Sequence, residues 1–332
     1  MPHILQDFRH SVRQLRRTPG FTAIAILVLA LGIGANTAVF SLVNALVLQP
    51  RPGRVDQALG VFSRDRVKQD RYRDFSYPAY VDLRDRSGVF EHLMAHTFST
   101  VGIKEGDTTK QVFASIVSGN YFQTLGVALA AGRSFTAEEE RPGARIPVAV
   151  ASYSGWRKSG LSPSFVGSTI RANGIEFTVV GVAPRGFAGT MTVVSPQWFF
   201  PLGSYDTIVN EMFKQRASGL TDRSNYALNL AGQLRPGVPK DHADHMLDAV
   251  AKRLDEEFPG TDHDQTFVLA KLSRMGVSSK PQDNGPVAGV SALLMFMALG
   301  WVINLGVAEW IIRKPNLKFK KTMILTDRKS VV

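Results

Sequence analysis

Two long apolar stretches frame a polar middle segment in this chain. No Asp, Glu, Lys or Arg occurs between residues 18 and 50, and a second uncharged stretch covers residues 284–308. The hydrocarbon core of a bilayer is about 30 Å thick, and a helix of roughly 20 apolar residues crosses it. The pattern therefore predicts two transmembrane helices, at residues 21–48 and 287–312, on either side of a middle segment at residues 51–286.

The first part of the middle segment shows the pattern of short strands and turns. Residues 110–118 alternate between polar and apolar positions, and β-branched runs at residues 146–151 and 177–182 stand next to proline or glycine. Such runs are typical of strands. Asn173-Gly174 stands between two strand-like stretches, which predicts a two-residue hairpin.

Helical periods occur near both ends of the middle segment. Residues 80–93 are predicted to be a polar helix, and an amphipathic helix is predicted at residues 240–258, between strands at 228–234 and 266–272. The apolar face of the longer helix consists of Ala243, Leu247, Val250, Ala251 and Leu254. Strand, helix and strand after a β-rich middle indicate an α+β fold with a β-rich insertion.

The positions of the charged residues along the chain explain its basic net charge. The chain has 332 residues, a net charge of +11 and no cysteine. Four arginines and one aspartate lie in residues 1–20, and seven basic residues and one acidic residue lie in residues 313–332, whereas residues 51–286 hold 28 basic and 25 acidic residues. Lys and Arg are retained on the cytoplasmic side of a membrane. Both termini are therefore predicted to be cytoplasmic, and the middle segment extracytoplasmic.

Several functional classes are excluded by these observations. The middle segment has no basic cluster of the kind that binds nucleic acid, and a chain without cysteine has no disulfide scaffold and no thiolate metal site. A cleaved signal peptide has an apolar region of about 7–15 residues. Residues 21–48 are much longer, so an uncleaved anchor in the plasma (inner) membrane is expected.

An amphipathic helix is predicted within the cytoplasmic segment 1–20. Its apolar stripe has spacings of three and four and consists of Leu5, Phe8, Val12 and Leu15. One interpretation is an anchor at the membrane interface, with arginines toward anionic headgroups. The other is a helix that couples the chain to a cytoplasmic partner, through the set Phe8, Arg9, Val12, Arg13, Leu15, Arg16 and Arg17.

Small residues recur within the first predicted span. Small side chains let helices approach closely in lipid, and an asparagine there is expected to face another helix. The candidate helix-packing face consists of Ala30, Gly34, Asn36, Ala38 and Ser41. We therefore expect this span to belong to a bundle.

The middle segment contains no recognisable catalytic motif. The sequence has no G-x-x-x-x-G-K-[ST], no G-x-S-x-G and no H-E-x-x-H. His242 and His245 fall on the polar face of the amphipathic helix, and His263 lies between two acidic residues, where a solvated surface is the simpler interpretation. Thr136 and Glu139 have the spacing of a capping box. No enzyme activity, metal or cofactor is predicted.

Motifs along the chain resemble the MacB/FtsX-type ABC transporter permeases, most of all the large duplicated permeases of soil bacteria. The resemblance begins with Arg13-Gln14-Leu15-Arg16-Arg17-Thr18-Pro19-Gly20-Phe21 and extends through residues 29–41, 76–86, 117–127, 132–135 and 177–184. It covers roughly residues 7–272. The resemblance implies an extracytoplasmic, MacB-like periplasmic core domain with a porter-like part at residues 51–116 and 220–280 and an inserted β-rich subdomain at 117–219.

The same resemblance implies partners and a mechanism. Such permeases form dimers in the lipid bilayer and bind a separate ABC ATPase subunit. ATP-driven motion of that subunit reaches the outer domain through the membrane helices, for the export or extraction of lipoproteins, peptides or other amphiphiles. The basic tail, residues 313–332, resembles no coupling helix, so a truncated fragment of a permease is expected. The alternative is a two-span sensor whose outer domain binds a ligand.

Overall fold

The structure is a computed structural model that describes residues 51–190, 195–210, 219–273 and 278–281. It also describes scattered positions between residues 13 and 44 and residues 289, 296 and 300. The chain divides into two compact units, Asn44–Asp283 and the pair of segments Met1–Val43 and Asn284–Val332. In the part of the chain that is described, no helix has the length and apolarity needed to cross a membrane. The predicted spans at 21–48 and 287–312 lie largely outside the described residues.

The unit Asn44–Asp283 is built on strands that join in one hydrogen-bonded sheet. The strands are β1 (Leu59–Asp65), β2 (Tyr72–Arg73), β3 (Phe90–Glu105), β4 (Thr108–Val117), β5 (Ala131–Gly132), β6 (Val148–Ala151), β7 (Thr169–Ala172), β8 (Ile175–Val182), β9 (Trp198–Pro201), β10 (Asn229–Leu234) and β11 (Gln265–Lys271). Their order is β11-β1-β10-β3-β4-β9-β6-β8-β5, with β2 paired to β1 and β7 paired to β3 and β8.

Six helices connect or cover these strands in the described residues. They are α1 (Tyr77–Arg86), α2 (Tyr121–Thr124), α3 (Ala137–Glu140), α4 (Tyr153–Lys158), α5 (Tyr205–Ile208) and α6 (Lys240–Glu257). Ser76 caps α1 by accepting a hydrogen bond from the Ala79 amide. Thr136 and Glu139 form the predicted capping box at α3.

Four neighbouring strands at one end of the sheet and two helices form a split β-α-β-β-α-β unit. Its elements follow the chain as β1, α1, β3, β10, α6 and β11, and its strands lie side by side as β11-β1-β10-β3, all antiparallel. The long insertion between β3 and β10 supplies the rest of the sheet, where β4 is parallel to β9 and β6 is parallel to β8. The mixed α and β content agrees with the predicted α+β class. Because one ladder system joins both parts, the predicted boundaries at residues 116/117 and 219/220 stay predictions.

Each face of this sheet has its own apolar core. Along β3, Leu93 and Ala95 point to the core beneath α1 and α6, whereas Met94 between them belongs to the second core. This alternation is the normal period of a strand. The five apolar positions predicted for the face of α6 are the residues of that helix that are buried.

Two local predictions have opposite outcomes. Asn173 and Gly174 form the predicted hairpin between β7 and β8, both with positive φ of 48° and 84°, as a type I′ turn requires. The prediction of a helix through residue 93 is wrong: α1 ends at Arg86, and Phe90 begins β3. Gly88, with φ of 67°, reverses the chain between them, and pairing with β10 overrides the helical period.

Candidate functional site

The two ends of the sheet unit meet at one edge. Leu59, at the start of β1, pairs with Lys271, at the end of β11, in an antiparallel ladder of seven residue pairs that ends at Asp65 and Gln265. The chain therefore enters the sheet and leaves it at the same place. We call the entering residues 51–58 and the described leaving residues 272–273 and 278–281 the base of the domain.

Backbone contacts hold the entering segment in place. Gly53 has a φ of 77°, and a Cβ at this position would overlap the Leu125 carbonyl oxygen. The amide of Arg54 donates to that same oxygen at 2.6 Å. Only glycine combines this conformation with this close approach. Val55, the next residue, is fully buried.

Arg51 ties the entering segment to a distant loop. Its guanidinium lies 2.7 Å from the Asp56 carboxylate and donates to the Thr190 carbonyl oxygen at 3.1 Å. Only 9% of the Arg51 side chain is exposed. Hydrogen bonds from a charged group of this kind are stronger than neutral ones. The first residue of the base is therefore attached to the insertion as well as to its own segment.

A small cavity lies where the leaving segment meets the sheet. Its volume is about 30 Å³, and its lining includes Val61, His96, Thr190, Leu272 and Lys280. A water molecule needs about 10–15 Å³ of such space. His96 Nδ1 is buried and has no hydrogen-bond partner among the described residues. Thr190 Oγ1 is also buried without a partner among those residues. The cavity therefore has room for water and polar groups that can bind it.

Burial controls the ionisation of His96. The ring is 1% exposed and packs against Phe98 and Tyr121, with centroids 5.4 and 6.0 Å away. Burial lowers the pKa of His96 to about 4, because a charged imidazolium is poorly solvated there. His96 is therefore neutral at physiological pH. Tyr121 continues into an aromatic group with Phe122, Phe187 and Phe199.

A buried ion-pair network joins the two helices of the split unit. Arg223 donates to Asp82 of α1 at 2.7 Å and to Asp262, after α6, at 3.1 Å. Arg73 also contacts Asp262, at 3.3 Å. Burial raises the pKa of Asp262, and the two arginines oppose that rise. Arg86 extends the network by pairing with Asp82 and with Glu257 on α6.

One group of the described residues has the donor atoms for a metal ion. Asp255, His263 and Asp264 place ligand atoms within 4.8 Å of one another. His263 lies 2.8 Å from Asp255 and 3.2 Å from Asp264, and the Asp255 hydrogen bond raises the pKa of His263. The His263 side chain is 65% exposed. Each ring nitrogen of His263 therefore lies next to a carboxylate at the protein surface.

Half of the twelve residues in the two sites predicted from sequence lie outside the described part of the chain. Of the coupling set, Arg13 and Arg16 are described, as helical and exposed. Phe8, Arg9, Val12, Leu15 and Arg17 lie outside the description. Of the packing face, the described residues are helical and exposed, and they are Ala30, Gly34, Ala38 and Ser41. Asn36 lies outside the description.

Sequence reasoning missed the residues that organise the base and the helix layer. Arg51 and Gly53 belong to a short Arg-Pro-Gly-Arg stretch just after the first predicted span, which was a usable signal. His96 and Arg223 carry no local signal, because their partners are distant in the sequence. Arg223, for example, reaches a carboxylate 141 positions away.

The chain is similar to one protein family and to several solved structures. The model of the family "MacB-like periplasmic core domain" matches residues 22–250. A search of the curated proteins found no match. Among solved structures, a domain of a protein described as a permease, from Porphyromonas gingivalis, is 15% identical, with a TM-score of 0.48, and the match covers 68% of this chain and 94% of that one.

Two further solved structures are similar. The periplasmic region of MacB from Actinobacillus actinomycetemcomitans is 14% identical, with a TM-score of 0.46, and the match covers 65% of this chain and 88% of that one. The extracellular domain of the noncanonic ABC-type transporter YknZ from Gram-positive bacteria is 15% identical, with a TM-score of 0.45, and the match covers 64% of this chain and all of that one.

The protein has an α+β domain that the chain enters and leaves through two neighbouring strands. The family match covers more than half of the chain. The chain belongs to the MacB-like periplasmic core domain family, and thus to the MacB/FtsX-type permeases, as its motifs indicated. Proteins of this family are components of ABC transporters, have an extracytoplasmic core domain and in general work with an ABC ATPase.

Proposed function

We propose that this chain is the permease subunit, or an N-terminal part of it, of an ABC transporter that exports or extracts an amphiphilic substrate, lipoprotein or peptide. A partner ATPase hydrolyses ATP, and the permease chain has no catalytic role. The ATP-driven motion of the ATPase is transmitted to the extracytoplasmic domain through the spans at 21–48 and 287–312. Both termini are cytoplasmic, the membrane is the plasma (inner) membrane, and a second copy of the chain completes the transporter.

The pairing of Leu59 with Lys271 is the observation that carries this proposal. The segments that lead to the two spans enter the domain through neighbouring strands of one ladder. A relative displacement of the spans therefore acts on β1 and β11 directly. Antiparallel ladders and packed cores are stiff, so the sheet moves as a body.

The helical residues of the predicted spans support a membrane environment. Ile33 and Phe40 are 46% and 52% exposed, and Phe296 is 77% exposed. Exposed large apolar side chains on uncharged segments of this length are expected where the surface faces lipid. In this arrangement, the helix with Arg13 and Arg16 contacts the ATPase, and Ala30, Gly34, Ala38 and Ser41 contact a neighbouring helix.

The test is a distance measurement between two copies of the outer domain. The chain has no cysteine, so Val67→Cys introduces one labelling site, at a side chain that is 74% exposed. Spin-labelled full chain is reconstituted with the ABC ATPase of its own source, and the distance between labels is measured without ATP and with ATP and vanadate. We expect the distance to change with ATP.

Two controls make the result decisive. A Val67→Cys/Lys104→Cys chain, diluted into unlabelled chain, reports a distance within one domain, which we expect to stay constant. A hydrolysis-deficient ATPase shows whether turnover is needed. An unchanged distance between copies during ATP hydrolysis contradicts the proposal. Movement on addition of an outer ligand, without the ATPase, supports the two-span sensor instead.

A further inference from the structure

An unassigned pocket lies where the insertion approaches the base. Its volume is about 230 Å³, and its polar lining comes from Ser152, Ser154, Arg157, Arg185 and Ser195. None of its described lining residues is acidic. The volume lies below the roughly 300–1,000 Å³ of sites for drug-sized ligands. The pocket therefore suits a small anionic group.

The guanidinium groups of the two pocket arginines have no carboxylate beside them among the described residues of the lining. Eight arginines of the domain do pair with carboxylates, and they are Arg51, Arg66, Arg73, Arg84, Arg86, Arg133, Arg171 and Arg223. In the described ranges, the guanidinium groups of Arg157 and Arg185 have neither an ion pair nor a hydrogen bond. Two unpaired guanidinium groups in one concave site raise the local affinity for an anion.

The chemistry of the lining matches a phosphate group. A guanidinium group offers planar, paired N–H donors that fit phosphate oxygens. Serine hydroxyls add neutral donors. Ser152 Oγ lies 2.8 Å from Ser154 Oγ and accepts from the Gly155 amide, which fixes the position of these hydroxyls. Two guanidinium groups and positioned serine hydroxyls in one pocket can bind the oxygen atoms of a phosphodiester.

The position of the pocket identifies the source of the phosphate. A Cβ built on Gly186, which lines the pocket, would lie 3.9 Å from Pro52 Cγ. Pro52 follows the end of the first predicted span, residue 48, by four residues, and four extended residues reach at most about 14 Å. Headgroups occupy about 5–8 Å on each side of the hydrocarbon core. The pocket is thus within reach of the headgroup layer.

We propose that Arg157 and Arg185 form a binding site for the phosphate of an anionic phospholipid headgroup in the outer leaflet. This inference rests on the first predicted span, and not on coupling to an ATPase. A bound headgroup adds a third attachment to the membrane, besides the two segments of the base. It would fix the insertion to the membrane surface in addition to the contacts that Arg51 and Arg54 make between the base and the insertion.

The experiment measures lipid retained by the full chain. The chain is purified in detergent, incubated with phosphatidylglycerol or with phosphatidylcholine, and examined by native mass spectrometry. We expect phosphatidylglycerol to be retained in preference. Because each arginine–phosphate contact is charge-assisted, Arg157→Gln/Arg185→Gln is expected to weaken that retention about tenfold or more.

The control removes the same charge elsewhere. Lys104→Gln/Arg171→Gln changes two exposed residues near the start of β8, whereas Arg185 follows the end of that strand. This variant is expected to retain phosphatidylglycerol like the parent chain. An Arg157→Lys/Arg185→Lys variant keeps both positive charges but loses the planar pairs of N–H donors. Its retention of phosphatidylglycerol is expected to lie between that of the parent chain and that of the double glutamine variant.

Three results overturn the proposal. Equal loss in both double glutamine variants means that only overall charge matters. Equal retention of phosphatidylglycerol by the parent chain and by Arg157→Gln/Arg185→Gln means that the pocket is not the site. If millimolar inorganic phosphate displaces the lipid from the parent chain, the pocket takes free phosphate rather than a headgroup. None of these measurements involves ATP. Failure of the lipid-binding proposal would therefore not contradict the proposed role in transport.

Discussion

The guanidinium group of Arg223 lies against the ring of Phe258, with its central carbon 3.6 Å from the ring centroid. The same group bridges Asp82 on α1 and Asp262 beyond α6. One side chain therefore joins two helices that are far apart in the sequence. The Asp262 side chain is only 4% exposed, so this charge depends on its arginine partners for compensation.

Replacement of Arg223 tests the network. Arg223→Ala leaves two buried carboxylates with fewer partners, and breaking a buried pair costs about 3–5 kcal/mol. We expect a loss of about 3 kcal/mol in the free energy of unfolding, measured by denaturant unfolding of the full chain in detergent. Arg171→Ala breaks an exposed pair with Glu176 and is expected to cost less than about 1 kcal/mol. Equal costs contradict the assigned role.

Gly53→Ala tests the entry to the base. This alanine would adopt a positive φ and also press on the Leu125 carbonyl oxygen. Gly143→Ala is a matched control, since Gly143 has a φ of 76° and no atom within 4 Å of a built Cβ. The control is expected to cost about 1–2 kcal/mol for the left-handed backbone. Gly53→Ala is expected to lower the free energy of unfolding further, and a cost no larger than that of Gly143→Ala excludes the steric contact.

His96 makes stability depend on pH on the acidic side. Burial lowers the pKa of folded His96 to about 4, below the usual 6.5, so the unfolded chain binds the proton first. Its contribution is fully present above pH 6.5 and is lost as the pH falls toward 4. The difference corresponds to about 3 kcal/mol. Comparing unfolding of the parent and His96→Gln chains from pH 8 to pH 4 measures it.

His263 provides the control for the sign of this effect. The pKa of His263 is raised by Asp255, so its contribution is present at low pH and fades as the pH rises through the raised pKa. His263→Gln is therefore expected to change the pH dependence in the opposite direction from His96→Gln. A parent chain and a His96→Gln chain with the same acid slope contradict the burial argument for His96.

Asp74 is expected to reduce stability at neutral and alkaline pH. Burial raises the pKa of Asp74 from 3.8 to about 7, and its Oδ1 has no hydrogen-bond partner among the described residues. The folded chain therefore holds a proton that the unfolded chain loses above pH 4, so stability falls as the pH rises from about 4 to 7. Asp74→Asn is expected to be more stable than the parent chain at pH 8 and similar to it at pH 4. Lower stability at pH 8 refutes the assigned pKa.

Local sequence rules identified much of the sheet unit. The buried face of α6, the hairpin at Asn173-Gly174 and the capping box at Thr136 each depend on residues close together in the chain. Side-chain period, positive φ and capping are local physical properties, so they can be read without a fold. The helix predicted to reach residue 93 was wrong because strand pairing with β10, more than 130 residues later, decides that segment.

By itself, the sequence determined the family, the α+β class and the expected membrane topology, since these depend on motifs, periodicity and the placement of charge along the chain. Only the tertiary structure decided which residues meet. Leu59 pairs with Lys271, and Arg223 forms ion pairs with Asp82 and Asp262. Arg157 and Arg185 line one pocket. Residues that are distant in the sequence come together only when the sheet and its two cores form, because no local interaction specifies such contacts.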